Sequence, residues 1–213
     1  MGEKQTQTIE LININPRMLE ITIVGDTALV LHAMDAVSKR EMINKQTNKQ
    51  KELKEVNKWE KIITSIHWLD EYDPDYTEEA YKRLLKKNKP CITAFGMKAN
   101  MGDAYYRNGL GKKTVFNANV NVIDDKKGLI PITFAGCAIE EKLISPGFRK
   151  PPCLQYLNVF DGWKAKVTVS FLENMFSVEQ IVNLMNLTGF GIGIGSGRNA
   201  GYGRYHVENV EAI

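Results

Sequence analysis

The chain has 213 residues, of which 43% are hydrophobic and 25% charged, and a formal net charge of +3. That balance belongs to an ordinary globular chain, read here as a single domain over residues 1–213. No run of about 18 apolar residues occurs and the start, Met1-Gly-Glu-Lys-Gln-Thr6, has no secretory apolar core, which argues against a membrane partner or export and for the cytoplasm.

In chain order, Leu19-Glu-Ile-Thr-Ile-Val24 alternates with β-branched residues and closes on Gly25-Asp26, which predicts the first strand. Asp35 suits a helix cap before Ala36. Between Lys39 and Lys61 eight Lys/Arg face four Glu, which predicts a basic helical insertion over about 36–70, either a solvated helix or an arm that tracks phosphates. Asp70 to Tyr76 reads as an acidic turn, and Thr77 with Glu78 and Glu79 as the cap and first turn of a helix that Asn88-Lys-Pro90 stops. A short helix follows Thr93, with Phe95, Met97 and Tyr105 apolar and Lys98, Asn100 and Arg107 polar. Thr114–Ile123, Leu129–Phe134, Ala138–Ile144 and Trp163–Leu172 read as strands, and 145–160, with Pro146-Gly and Pro151-Pro152, as an irregular loop. Ser177-Val-Glu-Gln180 is a capping box before a helical face of Ile181, Leu184 and Met185, and Tyr205–Val210 alternates as a last strand.

Between that helix and that strand, seven of the 17 glycines fall within Gly189–Gly203, together with Arg198, Tyr202 and Arg204. Glycine admits positive φ and lets another group approach the backbone, so a ligand against this loop is expected. Ser196 breaks a G-x-G-x-x-G fingerprint, no following helix exists and no G-K-[ST] closes the run, which removes the dinucleotide and Walker readings and with them any nucleotide cofactor. Cys91, Cys137 and Cys153 lie far apart and match neither a disulfide framework nor a C-x-x-C metal knuckle.

With helix, glycine loop and terminal strand in place, the C-terminal segment resembles the glycine-rich signature of the RAMP superfamily, the RRM-like proteins of CRISPR effectors. The pattern is two G-hydrophobic-G arms around a basic residue, reproduced by Gly191-Ile-Gly193 or Gly193-Ile-Gly195, Arg198 and Gly201-Tyr202-Gly203. Ile92-Thr-Ala-Phe95-Gly-Met-Lys98 is similar to the I-P-x-S-x-L-K-G segment of backbone subunits, without its proline and serine and with Ala99 in place of its last glycine. The overall order over about 18–210 resembles RAMP-like proteins encoded in bacteriophage and prophage genomes, whose setting is the host cytoplasm. The resemblance implies an α+β, ferredoxin-like antiparallel sheet with helices on one face. It also implies binding of single-stranded nucleic acid, DNA or RNA, with subunits side by side along the strand as a homo-oligomer.

On chemical grounds the loop amides around Gly193, Gly195, Gly201 and Gly203 suit phosphates, Arg198 and Arg204 pair with them, and Tyr202 or Phe95 stack on bases. Lys98, Arg107, Arg149 and Lys150 complete the expected interface. Guide-processing members of the superfamily are metal-independent ribonucleases that use His or Tyr, which makes His32, after the first strand, the residue to weigh. His67 adjoins Trp68 and His206 lies in the last strand. No paired carboxylates point to two-metal chemistry. Three readings stay open at this level: a non-catalytic single-strand binder, expected here, a metal-independent endoribonuclease, and a decoy subunit that docks on a CRISPR effector complex.

Overall fold

The computed structural model describes residue 14 and residues 16–47, 57–73, 75–124, 127–144 and 153–213. In chain order these form β1 (Pro16–Gly25), β2 (Leu29–Leu31), α1 (Ala36–Gln46), α2 (Lys58–Thr64), β3 (His67–Trp68), α3 (Glu78–Lys87), β4 (Pro90–Thr93), α4 (Ala94–Arg107) and α5 (Lys113–Asn119). Then follow β5 (Val120–Ile123), β6 (Leu129–Thr133), β7 (Gly136–Ile144), β8 (Cys153–Asp161), β9 (Lys164–Leu172), α6 (Val178–Gly191), a 3-10 turn at Arg198–Ala200 and β10 (Tyr205–Ala212).

The helix starts follow from side-chain caps, each satisfying a first-turn amide that has no partner within the helix. Asp35 accepts from Ser38 N, Thr77 from Ala80 N and Thr93 from Gly96 N. Ser177 and Gln180 form both halves of the expected capping box. Two segments depart from the sequence reading. Residues 114–119 are helical, not strand, because Phe116 turns fully into the core beside Tyr105 and Phe176, and the β conformation begins only at Val120. The stretch 145–160 is not irregular throughout, since Cys153–Asp161 pairs along its length with β7. Its first part lies outside the described residues.

The larger sheet runs β10-β1-β9-β6-β4-β3, with β5 also on β9, and all its pairings are antiparallel. Within it β10-β1-β9-β5, linked through α4 and α6, is the ferredoxin-like order, so the fold is α+β and ferredoxin-like. Alternation on β1 turns Leu19, Ile21 and Ile23 inward, where Ala165, Val167, Val169 and Phe171 of β9 meet Met97, Met101 and Ala104 of α4 and Ile181, Leu184 and Met185 of α6. Each such large side chain, fully buried, contributes about 1.5–3 kcal/mol. Trp163 is wholly buried at the mouth of β9, its Nε1 donating to Thr27 O at 2.8 Å, and a Cβ on Gly25 would strike the indole at 2.1 Å.

The opposite face of β1, β9 and β10 carries polar side chains and ion pairs. Lys164 bonds Glu208 at 2.8 Å and Lys166 bonds Glu20 at 2.5 Å across neighbouring strands. No Phe, Tyr or Trp projects there, so the stacking platform that RRM domains place on this face is missing from these strands. A second sheet, β2-β8-β7, lies beside the first. Its Val30, Leu157 and Val159 form a small cluster that Ala28 and Tyr202 cover. No helix among the described residues is long and apolar enough to cross a membrane.

Candidate nucleic-acid interface

The glycine loop begins where α6 ends. Ile192 N and Gly193 N both donate to Thr188 O, which turns the chain off the helix axis toward β2. There Ser196 N donates to Val30 O at 2.8 Å, and the chain returns so that Gly203 N donates to Ala28 O and Ile194 N to Gly203 O. Thr27 pins the exit, its hydroxyl donating to Gly201 O at 2.8 Å and accepting from Arg204 N at 2.9 Å.

The close approach that glycine permits is therefore used by the protein's own backbone. Gly195, at φ +78°, would place a Cβ 2.5 Å from Val30 O, and Gly203, at φ +70°, one 1.9 Å from Ile194 O. Both are left-handed positions in which a side chain is strained as well as blocked. Gly193 meets Gly203 O in the same way. Gly201, at φ +89°, closes the 3-10 turn with nothing within 4 Å, and it is the open one of the four. The amides of Gly193, Ile194, Ser196, Ala200, Gly201, Gly203 and Arg204 are spent inside the fold, which corrects the expectation of a loop whose amides await a ligand.

The two loop arginines separate into different roles. Arg204 donates through Nη1 to Phe190 O at 2.8 Å and through Nη2 to Arg198 O at 3.4 Å, bracing the loop against the end of α6. Arg198 donates through Nη1 to Asn100 Oδ1 at 2.5 Å, while Asn100 Nδ2 donates to Gly193 O at 3.0 Å. Asn100 sits with the polar residues of its helix in the sequence, yet it is buried on the inner face of α4. Phe95, counted there as apolar, is 83% exposed.

Tyr202 lies over β2 and β8. Lys142 Nζ donates to its hydroxyl at 2.7 Å and stands 4.8 Å from its ring centroid, so the ring is engaged by a cation within the protein. Tyr205 is buried against Trp163, and burial raises its phenol pKa. Lys98 reaches away from the loop, donating to Asn117 O at 3.1 Å and Asn121 Oδ1 at 2.7 Å. Arg107 is exposed at the far end of α4, about 10 Å along the axis from Asn100 at 1.5 Å per residue. Arg149 and Lys150 lie outside the described residues.

One aromatic escapes the sequence reading altogether. Phe190, in the last turn of α6, is 84% exposed. The two helices pack antiparallel, Tyr105 of α4 beside Phe176, Gln180 and Leu184 near the start of α6, and Asn100 beside Gly193 just past its end. Phe95, at the start of α4, and Phe190, at the end of α6, therefore stand toward the same end of the helical layer. In the sequence Phe190 merely continues an apolar helix; only the helix phase set by Ile181, Leu184, Met185 and Thr188 turns it outward.

Beneath the loop is a cleft of about 210 Å³. Its walls come from the end of β2 (Leu31, His32), the α2–β3 turn (Ser65, His67), β4 (Cys91, Ile92, Thr93), α4 (Gly96, Asn100) and the loop (Ile194 to Ser196, Arg198). Burial lowers the His32 pKa, against smaller raising effects from Asp35 and the Tyr156 backbone. Burial and then Lys39 lower that of His67. Cys91 pairs across the strands with His67, but burial pushes its thiol up to about 12, so it carries no thiolate to act as a nucleophile. Among the described residues no group of three or more His, Cys, Asp or Glu is placed to hold a metal ion.

No protein-family model matches the sequence, and no curated protein matches it. Among solved structures the chain is similar to a chain of the Type III-B Cmr-beta bound to cognate target RNA, determined by cryo-EM. The match has a TM-score of 0.47 and 14% sequence identity, and covers 93% of this chain and 61% of that one. The chain thus spans under two thirds of the length of the chain it matches.

Proposed function

We propose that the protein is a non-catalytic binder of single-stranded nucleic acid, and that the strand crosses the loop end of the helical layer. The observation that carries this reading is the pair of exposed rings, Phe95 at the start of α4 and Phe190 at the end of α6, at the end of the helical layer where Asn100 holds Arg198 in place. Exposed aromatic rings beside a fixed cation suit unpaired bases and phosphates, each stacked base contributing about 1–3 kcal/mol. Several copies bound side by side along one strand would appear as a stoichiometry rising with oligonucleotide length.

The test is a titration of the protein into labelled single-stranded oligonucleotides of DNA and RNA at several salt concentrations. Affinity falls with salt because phosphate contacts release counterions. Arg198→Ala weakens it and Arg107→Ala does not. Absent binding, or binding indifferent to salt and to Arg198, contradicts the reading.

A metal-independent ribonuclease of the guide-processing type is the second reading, favoured by the place of His32 beside the loop. Cleavage through a 2′-hydroxyl needs a base and also a protonated acid. Burial lowers the pKa of both cleft histidines, which disfavours the protonated member of such a pair. RNA incubated with the protein in a chelator stays intact on the first reading. Cleavage lost on His32→Ala establishes the second.

A further inference from the structure

The smaller sheet ends in a strand whose outer edge is open. β7 runs nine residues, Gly136–Ile144, and pairs with β8 along its whole length. Among the described residues no other strand joins it, and no backbone group outside that ladder bonds to it. The other edges are attended to. Ser196 bridges Val30 on β2, and at β10 Asn186 Oδ1 accepts from Val207 N at 2.8 Å. An unpaired edge as long as β7 is a template for another strand unless its side chains forbid one.

Charges on an edge ordinarily keep strands apart, but those of β7 are ordered so that they complement themselves. The register with β8 puts Ile139, Glu141 and Leu143 on one face, and Glu140 and Lys142 on the other, where both meet Tyr202. A two-fold axis through Glu141 sets a second β7 antiparallel to the first. Glu140 of each copy then faces Lys142 of the other, and Ile139 of each faces Leu143 of the other. Moving the axis by one residue either way sets Glu140 or Lys142 against itself, which the pairing of like charges disfavours. The like charges that do meet on the chosen axis are the two Glu141 carboxylates, and each is already bonded to its own Lys58. Leu143 is 70% exposed, and Leu154, opposite it on β8, is 45% exposed. The pairing thus gives an apolar neighbour to a side chain that a single copy leaves in water.

We propose that β7 is the surface through which two copies of this chain associate, edge to edge and antiparallel about Glu141, so that their three-stranded sheets become one continuous sheet. The association needs no nucleic acid and is independent of the strand-binding reading above.

Sedimentation of the protein without nucleic acid, over a dilution series, tests it. The unaltered protein is expected to reach twice the mass of one chain. Lys142→Glu sets a carboxylate against Glu140 of the other copy, and Glu140→Lys sets an ammonium against Lys142, so each variant alone stays at the mass of one chain. Mixed in equal amounts, the two variants restore the doubled mass, because the facing positions 140 and 142 are again of opposite charge. A single-chain mass for the unaltered protein at every concentration overturns the proposal. So does a dimer that survives in both variants, or a mixture that stays apart. Should either variant fail to melt cooperatively, Leu143→Glu at the exposed position replaces it: it adds an acid beside the two Glu141 carboxylates and is expected to stay at the mass of one chain, and a dimer that persists in it again overturns the proposal.

Discussion

Arg198 donates to the buried amide oxygen of Asn100 at 2.5 Å, and the nitrogen of the same amide donates to Gly193 O at 3.0 Å. One side chain thus anchors the glycine loop to α4 and orients the cation that the loop presents. Asn100→Leu leaves Gly193 O and the guanidinium without their partner at a buried site, a loss of about 1–3 kcal/mol. At about 2–4 °C per kcal/mol for a chain of this size, the melting temperature falls by several degrees. Oligonucleotide affinity should fall as far as in Arg198→Ala, although Asn100 is buried. Unchanged affinity in Asn100→Leu would mean that Arg198 does not need this orientation.

The glycines of the loop are not equivalent. Gly203→Ala drives a Cβ to 1.9 Å from Ile194 O, and Gly195→Ala one to 2.5 Å from Val30 O, both at left-handed φ. Each should cost more than about 3 kcal/mol, because backbone must move as well as twist. Gly201→Ala meets nothing within 4 Å and carries only the conformational penalty, about 1–2 kcal/mol. Thermal melts of the three variants check the order; equal losses would contradict it.

Much of the frame is legible from the sequence because it rests on local chemistry. The caps at Asp35, Thr77, Thr93 and Ser177 declare their helices, and alternation declares β1, β9 and β10. What escapes depends on distant partners. β2 has three residues and exists because β8, more than a hundred positions away, pairs with it. The glycine run is legible as a place of close approach, but not that β2 is what approaches. The same applies to Phe116, whose β-branched neighbours Thr114 and Val115 suggest strand until the core claims its ring. Asn100 turns inward for a similar reason, since the phase of α4 is set by Met97, Met101 and Ala104.

Phe95 and Phe190 separate binding from stability. At 83% and 84% exposure, Phe95→Ala and Phe190→Ala should leave the melting temperature almost unchanged, within about 0.5 kcal/mol. Each should weaken single-strand binding by about 1–3 kcal/mol, read by anisotropy. A loss of stability without a loss of affinity would make both rings structural.

The cleft histidines make stability depend on pH in a fixed direction. His32 and His67 have folded pKa values below the ordinary one, chiefly through burial. The unfolded chain takes up protons at about pH 6.5, where the folded chain still refuses them. Their contribution is therefore complete above about 6.5, declines as the pH drops below it, and levels off once the folded values are passed. In His32→Phe/His67→Phe the melting temperature should rise relative to the unaltered protein as the pH is lowered from 7.5 to 5. A constant difference would show that neither ring titrates abnormally.

The central claim concerns where the strand lies, and photo-crosslinking addresses it directly. A single-stranded oligonucleotide carrying 4-thiothymidine, irradiated with the protein and mapped by peptide mass spectrometry, should mark the peptides of Phe95, Phe190 and Arg198. Crosslinks confined to the polar outer face of β1, β9 and β10, around Lys164 and Lys166, would contradict the account.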